Sequence, residues 1–140
     1  GYNLRSTDLQ AFIGLGQIDK LNAWGTKRAA NFDVYQKLIK NDYWKVKSQT
    51  NSFVSNFAYP IIHPNRDKIV KDLQESNIEV RPMICGSMGT QPFYVKEYGR
   101  LELKNVSIID KYGFYIPNHP HLTKKELHKI IYIVNKGIEK

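Results

Sequence analysis

The chain has 140 residues, 41% hydrophobic and 24% charged, with a formal net charge of +8. That length and balance fit one globular domain and exclude a disordered segment, and no apolar run nears the roughly 20 residues that span a bilayer. A single cysteine, Cys85, allows neither an internal disulfide nor a cysteine-based zinc site, and no secretory leader opens the chain, so a soluble, cytoplasmic protein is the expectation.

Residues 6–22 predict a helix: Ser6 or Thr7 caps it, Asp8 suits its first turn, and Leu9, Phe12, Ile13 and Gly16 recur on one face. Gly14 and Gly16 each cost about 1 kcal/mol in a helix interior, which implies close approach of another helix or a ligand, or else a locally weak helix. A second helix is read over 24–40, with Trp24, Phe32, Tyr35, Leu38 and Ile39 as its apolar set. YWKVKS from residue 43 and the following FVSNFAYPII predict two strands, Pro60 marking an edge or bulge. A helix follows with Asn65 as cap and Ile69, Val70 and Leu73 buried, then a strand EVRPMI.

Residues 85–103 read as a glycine-rich, aromatic loop, 105–112 as a short helix, GFYI as a buried strand and PNHPH as a turn. Thr123 and Glu126 form a capping box for a last helix whose stripe is Leu127, Ile130, Ile131, Val134 and Ile138. Helices alternating with short strands point to an α+β domain, a small mixed or antiparallel sheet with helices on one side.

Lysines are scattered over every segment, so the charge reads as a solvated surface rather than a nucleic-acid footprint, while an anionic small ligand remains compatible. The four histidines lack metal-site spacing; His119 and His121 flank Pro120 in a turn. Cys85 beside Gly86 reads as a small buried loop residue, and GSMG lacks the lysine of a phosphate loop. Arg81 stands out: followed by Pro82 at a strand end and facing the glycine-rich loop, its rigid fork suits a carboxylate or phosphate, or a surface ion pair. Asn3 and Arg5, just before a helix start, are placed for an anion in the same way.

With those residues in view, the chain resembles the C-terminal part of the DegT/DnrJ/StrS family, fold-type I pyridoxal phosphate enzymes acting on nucleotide-linked keto sugars. The resemblance rests on GYNLRSTDLQAFIGLGQIDKL, NIEVRP and IPNHPHLTKKEL, which together span nearly the whole chain. It implies that Asn3 binds the cofactor phosphate held by a partner subunit, that Arg5 lines the same site, and that the helix from Thr7 carries homodimer contacts. Arg81 and the loop residues Gly86, Ser87 and Gln91 would face the sugar nucleotide. Residues 1–140 would form one small C-terminal domain, including the helices of 6–40, with the large cofactor-binding domain absent.

Where family aminotransferases usually have His-Tyr, this chain has Met83 and Ile84, and RPMICGSMGTQPF is more similar to the 3-dehydratase branch, although Ser87 replaces that branch's asparagine. The resemblance therefore implies loss of a C3 hydroxyl from a 4-keto-6-deoxy sugar, with amine transfer as the alternative. It also places the Schiff-base lysine, or the histidine that replaces it, upstream of GYN, so no catalytic residue is assigned and the isolated chain is expected to be inactive. A non-catalytic dimerisation remnant is the reading of another class.

Overall fold

The computed structural model describes residues 6–47, 53–83 and 86–139. Its first element is a single helix, α1, over Asp8–Leu38. The Thr7 hydroxyl accepts from the Gln10 amide at 3.3 Å, and the Gln10 side chain accepts from the Thr7 amide at 2.9 Å. This reciprocal box satisfies two of the donors a helix start leaves open. The break expected near residue 23 is absent, since alanines at 23, 29 and 30 favour helix and no proline interrupts.

What changes along α1 is its surroundings. The second half buries Asn31, Phe32 and Tyr35, with Ile39 just beyond, whereas Leu38 is exposed. The first half leaves Leu9, Phe12, Ile13, Leu15, Ile18 and Leu21 between 56% and 75% exposed, so the face expected to be buried has no cover among the described residues. Likewise, nothing described lies within 4 Å of where a Cβ would sit on Gly14 or Gly16.

Among the described residues, three antiparallel strands, β1 (Ala58–Ile62), β2 (Arg81–Pro82) and β3 (Gly113–Pro117), lie in the order β1-β3-β2. Tyr59 pairs with Ile116 and Ile61 with Phe114, so the buried side chains of both strands share one face. Pro60 sits in an edge strand, where its missing N–H costs no central ladder bond. The described residues of the first expected strand, 43–47, form none, and the second shrinks to its last five residues. The edges of β3 are taken by β1 and β2, and Val46 is instead tied to α1 by the Gln36 side chain at 2.7 Å. The described residues of EVRPMI likewise contribute only the two residues of β2, and Ile84 lies outside the described residues.

Helix α2 (Arg66–Glu75) buries Ile69 and Leu73, with Val70 half-buried. Asn65 stands at its N-terminus without a capping side-chain bond, and its side-chain Nδ2 donates instead to the Gly137 carbonyl at 3.1 Å. At the other end Asn77 adopts φ 59°, and the Asn77 and Ile78 amides bond the carbonyls of Gln74 and Leu73. This αL ending turns the chain toward β2 and folds Ile78 back onto the core.

The expected loop of 85–103 contains a 3₁₀ turn at Met88–Thr90 and helix α3 (Pro92–Tyr98), opened by Pro92 and closed by Gly99 at φ 80°. Helices α4 (Lys104–Tyr112) and α5 (Lys124–Ile138) follow expectation, including the Thr123–Glu126 box. One core joins Phe32 and Tyr35 of α1, the inner sheet face, Ile69 and Leu73 of α2 and the stripe of α5. The fold is α+β.

Candidate functional site

The sheet's other face carries Tyr115, half-buried, opposite Pro60. Beside it the ring of Phe57, 68% exposed, lies 5.9 Å from that of Tyr115. These rings, with Arg81, Pro82 and His119, line an open cleft of about 460 Å³, with the buried Asn118 behind it. The short strand β2 brings Arg81 here by pairing it with Tyr115.

Arg81 is exposed, and both its Nε and Nη2 donate to one oxygen of Glu79, at 2.9 and 2.7 Å. Such an exposed pair contributes little to stability and is readily exchanged for another anion. The guanidinium fork therefore stands at the rim of an aromatic wall, an arrangement suited to holding an anionic, ring-bearing ligand. An adjoining cleft of about 510 Å³ shares Glu79 and His119 and adds Glu126 and Lys129. There Lys129 donates to the Ser76 carbonyl at 3.1 Å, and hydrogen bonds from Thr123 hold the Glu126 carboxyl below its usual pKa.

The other expected site residues are placed apart from this cleft. Gly86 has φ +57°, and a Cβ there would strike the Asp110 carboxylate, so its own chain accounts for the glycine. Ser87 is buried, and its carbonyl accepts from the Thr90 amide and hydroxyl at 3.2 and 3.0 Å. Gln91 occupies the residue before α3. None of the three lines the cleft with Arg81. Asn3, Arg5 and Cys85 lie outside the described residues. Among the described residues, no three His, Cys, Asp or Glu side chains are grouped to hold a metal, and no helix is long and apolar enough to cross a membrane.

Phe57, Glu79 and Tyr115 of the cleft, and Asn118 behind it, carry no motif that marks them in the sequence. A signal existed for Asn118, which continues the two-residue alternation of Phe114 and Ile116 and so places an amide on the buried face.

The sequence model of the DegT/DnrJ/EryC1/StrS aminotransferase family matches residues 1–135. The chain belongs to this family. It is 32% identical to the lipopolysaccharide biosynthesis protein RfbH of Salmonella typhimurium strain LT2, over 97% of this chain and 33% of that protein. To the GDP-4-keto-6-deoxy-D-mannose 3-dehydratase of Yersinia pseudotuberculosis it is 25% identical, over 97% of this chain and 37% of the relative. The chain thus spans about a third of the length of the curated relatives it matches.

Two solved structures share the fold. A family aminotransferase from Brucella abortus superposes with a TM-score of 0.84 at 24% identity, over 100% of this chain and 38% of that one. The E. coli GDP-4-keto-6-deoxy-D-mannose-3-dehydratase does so with a TM-score of 0.76 at 22% identity, over 96% and 36%. The latter holds hydrated PLP (pyridoxal phosphate), the cofactor on which the family depends.

Proposed function

We propose that this chain is the C-terminal part of a PLP-dependent enzyme that removes the C3 hydroxyl of a nucleotide-linked 4-keto-6-deoxy sugar. The match of the family model to residues 1–135 carries the reading. The C3 chemistry draws on relatives named as 3-dehydratases of GDP- and dTDP-linked keto sugars, at 22% to 26% identity. Amine transfer to the same class of sugar is the second reading, favoured by relatives named GDP-perosamine synthase.

In this reading Arg81 exchanges Glu79 for a phosphate of the sugar nucleotide, and the Phe57–Tyr115 wall keeps water from one side of the ligand. Gly86, Ser87 and Gln91 border the sugar. Asn3 and Arg5 reach the cofactor phosphate from the start of α1. When bound, PLP supplies an electron sink beside the carbon that is deprotonated. The apolar first half of α1 packs within a homodimer whose subunits each include a large domain, in the cytoplasm. The isolated chain, without the residue that would carry the cofactor, is inactive.

The test extends the chain N-terminally through the length of its relatives. The purified protein is given PLP, ¹⁵N-glutamate and GDP-4-keto-6-deoxy-D-mannose, or the dTDP- and UDP-linked counterparts. Loss of a sugar oxygen without ¹⁵N in the product supports the dehydratase. Retained ¹⁵N supports the aminotransferase. If no cofactor domain is encoded, or no sugar nucleotide is changed, the enzyme reading falls.

A further inference from the structure

Asn118 is fully buried, at a position on the sheet's inner face where an apolar side chain is the rule. Its Nδ2 lies 2.9 Å from the Asn56 carbonyl, 3.2 Å from Asn56 Oδ1 and 3.3 Å from the Arg28 carbonyl on α1. Its Oδ1, equally buried, has no hydrogen-bond partner among the described residues. A leucine here would remove the unpaired oxygen but would also take the donor away from the Asn56 carbonyl, so the amide carries the cost of one orphaned acceptor in exchange for holding Asn56. Costs of this kind concentrate where a structure serves a function.

What the amide secures is the segment before β1. No loop or turn backbone hydrogen bond joins residues 53–57 to other described residues. Asn56 is held by Asn118, and in turn donates from its own side chain to the Ala58 carbonyl at 2.6 Å. The next residue is Phe57, whose ring forms the cleft wall with Tyr115.

We propose that Asn118 is a positioning residue for the cleft: by fixing Asn56 against α1 it sets Phe57 beside Tyr115, and so preforms the wall on which a ring-bearing ligand rests. The identity of that ligand as a nucleoside diphosphate rests on the proposed function; the positioning does not. The wall then need not be ordered at the moment of binding, which raises affinity without Asn118 touching the ligand.

The experiment compares wild type with N118L, F57A and the double variant, reading thermal midpoint, Phe57–Tyr115 nuclear Overhauser contacts, and GDP affinity by calorimetry. The expected result is that N118L lowers the midpoint by several degrees while staying folded at the temperature of the binding measurement, loses the ring contacts and binds GDP roughly tenfold more weakly, with no further loss of affinity in the F57A background. Unchanged ring contacts in N118L would overturn the proposal, as would losses that simply add. If N118L does not fold, N118S, which shortens the side chain, is read in the same way. Failure of the wild type to bind GDP counts against the proposed function, and the ring contacts then decide the role of Asn118 alone.

Discussion

The Tyr35 hydroxyl donates to the Pro117 carbonyl at 2.8 Å, fastening the buried half of α1 to the last residue of the central strand. Removing it in Y35F leaves a carbonyl without its partner and is expected to cost about 1–3 kcal/mol by denaturant titration. Burial raises the pKa of Tyr35, and pushes Tyr59, whose hydroxyl donates to Gln36, up to about 12. Both groups thus hold their protons to higher pH folded than unfolded. Their contribution is complete below pH 10 and is lost as pH rises through the folded values, so stability should decline between pH 10 and 12 and the decline should flatten in Y35F/Y59F.

Thr123 and Glu126 set the opposite slope. The Thr123 amide and hydroxyl donate to one Glu126 oxygen at 2.8 and 2.7 Å, and these bonds lower the carboxyl's pKa below the usual 4.5. A lowered folded value means the contribution is present above pH 4.5 and is lost as pH falls through the folded value. E126Q should therefore lower the melting temperature at pH 7 by a few degrees at most and narrow its difference from wild type at pH 3.

Helices α2 and α5 meet at Gly137, where an added Cβ would lie 2.5 Å from Ile69 Cγ1. G137A is expected to destabilise by about 1–3 kcal/mol through overpacking, despite the better helix propensity of alanine. Pairing it with I69A, which removes the Cγ1 that the new methyl meets, should cost less than the sum of the two single losses, which denaturation curves of the three variants would show.

Arg81 is expected to act in binding. In the enzyme extended through its cofactor domain, R81A should raise KM about tenfold with kcat little changed, and R81K should recover only part of the loss because it restores the charge without the fork. Steady-state kinetics at fixed salt would show this, and a fall in kcat alone would remove Arg81 from the binding role.

Along the first half of α1 the exposed apolar residues 9, 12, 13, 15, 18 and 21 are spread around the axis at 3.6 residues per turn, interleaved with Gln10, Gln17, Asp19 and Lys20. Large apolar side chains left exposed in this number favour association with further apolar surface. The 140-residue chain should therefore self-associate with rising concentration in sedimentation runs, and F12Q/I18Q should lessen this without lowering the melting temperature.

The elements most legible in the sequence were those that carry their own punctuation. α5 has a capping box and an unbroken stripe, and the turn before it is marked by two prolines. By contrast, α1 was divided in two because its apolar positions change face where the core begins to cover it, a tertiary event without a local mark. Helix α3 is harder to read although Pro92 and Gly99 bracket it, because its seven residues bury none fully and Phe93 and Tyr98 are exposed, leaving no apolar stripe. Phe53 to Phe57 looked like a strand by composition, yet β3 had no free edge to offer. The cleft was half legible: Arg81 declared itself by chemistry, whereas Phe57 and Tyr115 come together only through pairing across the sheet and an amide from the far end of β3.

The unbroken course of α1 has one more consequence. At 1.5 Å per residue its 31 residues measure about 46 Å from end to end, and the far end is stitched to the cleft by Tyr35, Asn31 and the Arg28 carbonyl. Whatever grips the near end is thereby held at a set span from the aromatic wall, as by a strut. Tilting that grip would swing the cleft bodily instead of reshaping it.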